Sequence, residues 1–335
     1  MECALGSIIM PAFAFLRSLS EDAGTRSGFA LTEDDLQVAL GPEHALIESL
    51  QSDQALRIRS EAYADAVGDV LFHLGAADQP GMPTLGIRFT GLLDRDWRSL
   101  FELDELLELE AVSNHYLYLR SRGEDGQADI LEEVRERVHR QPDGVLDALM
   151  AAMSIHLAQS PFYTRETSGL IALADLFRSE KLPIEQGGFF EQRFIDFLAR
   201  NPEKLTTMHW RQFEGLAAEW FQRQGYDVEL GPGRNDEGVD LRLWRRDAPP
   251  GSPPAVIVQC KRQKARVERV VVKALYADVL HEKAESGLIV TSSDLSPGAR
   301  KDCVARAYPI TAANRDEIRR WVEAMRKPAT GVPLV

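Results

Sequence analysis

Gly238-Val239-Asp240-Leu241, followed by Val256-Ile257-Val258-Gln259-Cys260-Lys261, reads as two strands joined by a turn. The first stretch opens on a glycine, and the second is an apolar β-branched run that turns polar only at its end. The connection at 246–254 is rich in Pro, Gly and Ser, the composition of a hairpin loop. Side chains alternate along a strand, so Gln259 and Lys261 share one face while Val258 and Cys260 point to the other. If the two strands pair, Asp240 lies beside Gln259 and Lys261. A carboxylate, an amide oxygen and a lysine on one sheet face suit a hard divalent cation set against a phosphodiester. The plainer reading makes Asp240 a turn residue at a strand start and Lys261 a solvated strand end.

The flanking sequence bears on that choice. Upstream stand Trp210-Arg211-Gln212-Phe213-Glu214-Gly215-Leu216, then Gly225-Tyr226-Asp227-Val228 and Asp236-Glu237-Gly238-Val239-Asp240. Downstream stand Gly287-Leu288-Ile289-Val290-Thr291 and Ser296-Pro297-Gly298-Ala299-Arg300. In order and spacing this resembles the Mrr-type restriction endonuclease family, a branch of the PD-(D/E)xK nuclease fold, over about 205–325. Glu237 departs from the family pattern, which has the first glycine of a pair there.

The resemblance implies an α/β fold, a restriction-endonuclease-like αβββαβ sandwich around a mixed sheet. It also implies a Mg²⁺-dependent nuclease, with Mn²⁺ expected to substitute, acting on duplex DNA in bacterial restriction or defence. It implies the site too. Asp240 anchors the metal, Gln259 replaces the usual Glu or Asp as a neutral ligand, and the Cys260 carbonyl and the helix carboxylate Glu214 complete the shell. Lys261 orients the attacking water, and the expected products are a 5′-phosphate and a 3′-hydroxyl. An exposed helix carboxylate is the alternative for Glu214.

Composition agrees with a protein of the cytoplasm. The three cysteines have no paired CxxC spacing, so neither a disulfide framework nor a structural zinc site is expected. The apolar start from Cys3 to Leu16 lacks a basic leader, carries Glu2 and Pro11, and is shorter than the ~20 residues of a membrane span. It reads as a buried element, and no membrane association is expected. At 335 residues the chain has room for two domains.

Charge is divided unevenly. Residues 205–335 hold 21 Lys and Arg against 17 Asp and Glu, a net of +4, while 1–204 hold 18 against 35, a net of −17. The basic run Lys261 to Arg266, with Arg269, begins at the proposed catalytic strand, so Arg262, Lys264, Arg266 and Arg269 are the expected phosphate contacts. A solvated loop is the alternative for this run. The acidic half is expected to meet no nucleic acid.

Hydrophobic periodicity makes 1–195 a mainly helical domain, with helices at 60–74, 129–140, 145–157 and 168–177 and an extended piece at 85–90. The acidic run 101–110 reads as a solvated helix face. A junction at 182–205 leads to the nuclease-like domain, 205–328. There the pattern predicts helix 209–224, strands 226–230, 238–244 and 255–261, helix 267–284, strand 287–291, helix 296–306, strand 308–311 and helix 315–326. No GxSxG and no GxxxxGK[ST] is present, so neither a serine nucleophile nor ATP-driven translocation is expected. Gly231-Pro232-Gly233 is too short for a dinucleotide loop. Two other functions fit the same sequence. One is a DNA-binding module that has lost cleavage. The other is a sensor or oligomerisation module at 1–200, answering an unidentified trigger and gating the nuclease, in a homo-oligomer.

Overall fold

The computed structural model describes residues 7–44, 47, 55–81, isolated positions between 102 and 151, 169–233, 238–305 and 307–327. The expected extended piece at 85–90, the expected helices 129–140 and 145–157 and the acidic run 101–110 lie outside these, isolated positions apart, as does Glu237. The chain forms two compact units, one within residues 1–171 and one over Ala172–Lys327. Among the described residues no helix is long and apolar enough to cross a membrane.

In the first unit, β1 (Ser7–Pro11) pairs antiparallel with β2 (Ala55–Arg59), and helices α1 (Ala12–Ser27), α2 (Glu33–Leu40) and α3 (Ser60–His73) pack together. Phe15, Leu19, Leu36, Val67 and Val70 form its interior. The apolar N-terminal stretch is therefore a strand running into a helix rather than one buried element, with Ile9 and Phe13 turned outward. Its inner polar contacts are closed: Tyr63 donates to Asp22, which also accepts from the buried Arg26. The predicted helix at 60–74 is α3. The predicted helix at 168–177 is not formed as such. Ile171 donates its N–H to Gly28 O, and only α4 (Asp175–Arg178) is helical, because pairing with distant backbone overrides the local periodicity.

The second unit begins with α4 and continues through a 3₁₀ turn to α5 (Gln192–Arg200) and α6 (Trp210–Arg223). Then follow β3 (Tyr226–Leu230), β4 (Leu241–Arg245), β5 (Val256–Lys261), α7 (Arg269–Glu282), β6 (Ser286–Thr291), α8 (Pro297–Ala305), β7 (Ile310–Ala313) and α9 (Arg315–Met325). From α6 onward this is the αβββαβ order expected from the sequence. The five strands lie in chain order in one mixed sheet. β4 runs antiparallel to its neighbours β3 and β5, whereas β5, β6 and β7 run parallel.

The strands follow from their residues. β5 is the central strand, so both its faces are covered, and Ile257 and Val258 are each fully buried. Burial of two such side chains stabilises the fold by about 1.5–3 kcal/mol each. Ile257 and Ile289 meet Val272, Leu275 and Val279 of α7 on one face of the sheet. Helix α6 buries Phe213, Leu216 and Ala217 at spacings of three and four, and His209 caps its start by accepting the Arg211 N–H. Its far end stacks Trp220 against Trp321 of α9, ring centroids 5.3 Å apart. Helix α9 starts on a reciprocal Asn314/Glu317 capping box.

The division at Ala172 falls ahead of the 182–205 junction read from the sequence. The reason is polar as well as apolar. Glu219 of α6 accepts the N–H groups of Phe189 and Phe190, and Gln212 donates to the carbonyls of Ser179 and Lys181. From α5, Gln192 donates to Met325 O and Asp196 accepts the Lys327 N–H, so α5 closes the end of α9.

Candidate active site

The antiparallel register sets Leu241 opposite Val258, and Asp240 precedes β4 by one residue. Asp240 donates its N–H to Val258 O (2.9 Å), and its carboxylate Oδ2 accepts the Cys260 N–H (2.5 Å). These bonds bracket Gln259 on β5 and fix Asp240 across from it. The chain reaches this position through a tight approach. Gly231 donates to Asp240 O at 2.8 Å, and Gly238 has φ +94°. The left-handed φ favours glycine there, and a Cβ would also crowd Gln259 Nε2 at 3.2 Å.

Asp240 and Gln259 are 7% and 6% exposed. Gln259 Oε1 is buried and accepts no hydrogen bond. An orphaned buried acceptor costs about 1–3 kcal/mol, which a cation in contact with that oxygen would offset. Carboxylate and amide oxygens are the donors that Mg²⁺ and other hard cations take, so these residues fit such an ion. Among the described residues no three His, Cys, Asp or Glu side chains converge as a metal cage. The oxygen donors here are the Asp240 carboxylate and the Gln259 amide, and the Asp278 carboxylate also approaches the Gly238 turn.

Lys261 ends β5 in the register of Thr291 on β6 and is half-buried. By strand alternation its side chain leaves the sheet on the Gln259 side. Among the described residues its ammonium has no acidic partner. Its carbonyl accepts from Thr291 Oγ1 at 2.9 Å. Cys260 supplies its N–H to Asp240, a contribution that sequence reasoning missed because backbone donors leave no mark in residue type.

Glu214 is 5% exposed on α6 and forms an ion pair with Arg211 at 2.8 Å, so its carboxylate is engaged by a guanidinium one turn away. The exposed-carboxylate alternative does not hold. Arg262 donates from Nη1 to Thr206 O (3.1 Å), tying the end of β5 to the segment before α6. Arg269 makes a two-pronged pair with Asp302 of α8 at 3.1 and 2.7 Å, which raises its pKa through those bonds and the adjacent charge. Lys264 and Arg266 are exposed, and among the described residues neither has an acidic partner.

Behind the strand ends lies a set of hydroxyls that the sequence pattern did not flag. Thr291 and Ser292 are fully buried, and Ser293 is nearly so. Ser292 Oγ accepts the Gln263 N–H (2.9 Å) and donates to Gln263 O (3.1 Å). Ser293 Oγ donates to Ala265 O at 2.7 Å. A run of small hydroxyl residues directly after a buried strand is the signal that was available.

Residues 205–322 match the family model Mrr_cat, described as restriction endonuclease. The chain is 25% identical over 139 residues to the uncharacterized protein y4cE of Sinorhizobium fredii (strain NBRC 101917 / NGR234). That match takes in 40% of this chain and 36% of the relative, so the chain spans about a third of the relative's length. Among solved structures, the MspJI restriction endonuclease in complex with a 27-mer oligonucleotide matches at 20% identity and a TM-score of 0.27. This match covers 58% of this chain and 42% of that one. The region 205–322 carries a restriction endonuclease domain of the Mrr type.

Proposed function

We propose that the Ala172–Lys327 unit hydrolyses phosphodiester bonds of duplex DNA with a divalent cation, Mg²⁺ or Mn²⁺, and that the protein serves bacterial restriction or defence in the cytoplasm. The observation that carries this reading is Gln259 Oε1, a buried acceptor without a partner beside the Asp240 carboxylate. Asp240, Gln259 and the Cys260 carbonyl are the proposed oxygen donors. A bound divalent cation supplies positive charge at the scissile phosphate and eases deprotonation of the attacking water.

The chain's own groups do the rest. The Cys260 N–H fixes the orientation of the Asp240 carboxylate. Lys261 places an ammonium on the same side of the sheet, where charge develops on the phosphate in the transition state. Thr291 holds the Lys261 backbone carbonyl. Because Gln259 is neutral, the site carries one charge fewer than a pair of carboxylates and binds cations more weakly.

The experiment is cleavage of supercoiled and linear duplex DNA by the full chain, titrated with Mg²⁺, Mn²⁺ and chelator. Cutting is expected only with metal. Asp240→Ala and Lys261→Ala should each remain folded and lose on the order of 100-fold or more in rate. Undiminished cutting by either purified variant, or by the wild type in excess chelator, would sink the reading.

A further inference from the structure

Three parallel strands end on one edge of the sheet, β5 at Lys261, β6 at Thr291 and β7 at Ala313, and the antiparallel β4 starts there after Asp240. Ligands of open α/β sheets gather outside such carboxyl ends. The segment Thr291–Ser293 joins two pieces of this edge. Toward β5 its hydroxyls hold the Lys261, Gln263 and Ala265 backbone. Toward β7, Ser293 O accepts the Arg315 N–H and Ser292 O accepts Arg315 Nε–H, each at 3.2 Å. The loop bearing Lys264 and Arg266 and the start of α9 bearing Arg315 are thus braced on the same three residues.

Among the described residues several arginines of this unit are matched by carboxylates. Arg242 pairs with Glu282, Arg245 with Glu285, Arg269 with Asp302 and Arg223 with Glu219. At the strand-end edge, beside the Arg269–Asp302 and Arg300–Asp294 pairs, stand three further cations. Lys264, Arg266 and Arg315 are all exposed, and among the described residues none has an acidic partner. The nearby carboxylate Asp294 is already engaged by Arg300 and by the Asn314 amide. Three cations braced on one framework and left without counter-charges are suited to phosphates spaced along a backbone.

We propose that Lys264, Arg266 and Arg315 form one phosphate-binding track for duplex DNA, running along the strand-end edge from Lys261 toward β7. This rests on the nuclease reading and extends it. It gives DNA a direction across the sheet, adds Arg315, and leaves Arg262 and Arg269 to structural roles.

The test is binding of a nonspecific duplex to the full chain across a series of salt concentrations, with Ca²⁺ in place of Mg²⁺ and anisotropy as readout. The slope of log K against log salt should shrink by about 0.9 for each phosphate contact removed. Arg315→Gln and Lys264→Gln should each lower it by about that amount, and together by about twice as much. Arg315→Lys should restore most of the slope, which separates loss of charge from loss of fold. Arg245→Gln, on the opposite edge, should leave it unchanged. A wild type that binds while Arg315→Gln matches Arg245→Gln overturns the track and leaves the nuclease reading to the cleavage assay. A wild type that binds no duplex at low salt overturns the track as well.

Discussion

The carboxylate of Asp240 accepts the backbone N–H of Cys260 across the β4–β5 pair, 2.5 Å from nitrogen to Oδ2. One bond therefore both joins the strands and aims the candidate metal ligand. The two jobs are separable, because an amide oxygen accepts the same N–H but carries no charge. Asp240→Asn should keep the wild-type melting temperature and lose Mn²⁺ binding by titration calorimetry, with cleavage down on the order of 100-fold. A variant that melts early without losing metal would make Asp240 a structural residue only.

Gln259 allows a paired test. Gln259→Glu adds a charge where Oε1 has no partner, so cation affinity should rise by about tenfold, ~1.4 kcal/mol. Gln259→Met replaces the amide with an apolar group of similar length. It should leave stability unchanged or raise it by about 1 kcal/mol in urea denaturation while abolishing metal-dependent cleavage. Weaker metal binding by the glutamate variant would rule out a ligand role.

The unit boundary can be tested with fragments. One that begins at 172 keeps Phe189, Phe190 and α5 on their partners, whereas one that begins at 205 does not. The shorter piece uncovers the surface met by Phe194, Ile195, Phe197 and Leu198 and strips both N–H donors from the buried Glu219. It should lose on the order of 5 kcal/mol or more, enough to unfold a domain of ordinary stability. Circular dichroism melts of the two fragments decide this, and equal cooperativity would place the boundary near 205.

Burial lifts the Asp196 carboxyl above the usual carboxylate range, although the Lys327 N–H, Gln192 and nearby arginines pull the other way. An acid whose folded pKa is raised binds its proton more readily in the native state, so stability falls as pH rises from the ordinary carboxylate pKa through the raised one. Both recorded donors, Gln192 Nε2 and the Lys327 N–H, reach the same oxygen, Oδ1. Asp196→Asn can keep both and should remove that slope, being at least as stable as wild type at pH 7 and relatively less favoured below pH 4. Urea midpoints across pH would check this, and a loss of stability at neutral pH would mean that the arginine charges dominate.

Residue pattern was enough for the strand and helix order from α6 onward and for pairing the strands that carry Asp240 and Gln259. That part is local: alternation along β5 and a short hairpin between paired strands leave few places for those side chains to go. Only tertiary structure decided which charges were available for function. Arg269 looks like its neighbours in a basic run, yet its partner Asp302 lies 33 residues on, brought close by the packing of α7 on α8. Arg262 finds Thr206 O, and Arg315 joins Lys264 and Arg266 through carbonyls and hydroxyls at 291–293. The start of the unit at Ala172 likewise depends on N–H groups of Phe189 and Phe190 meeting Glu219. Periodicity reports which face of an element is buried, but not which distant group meets it, and backbone donors and acceptors carry no residue identity to read.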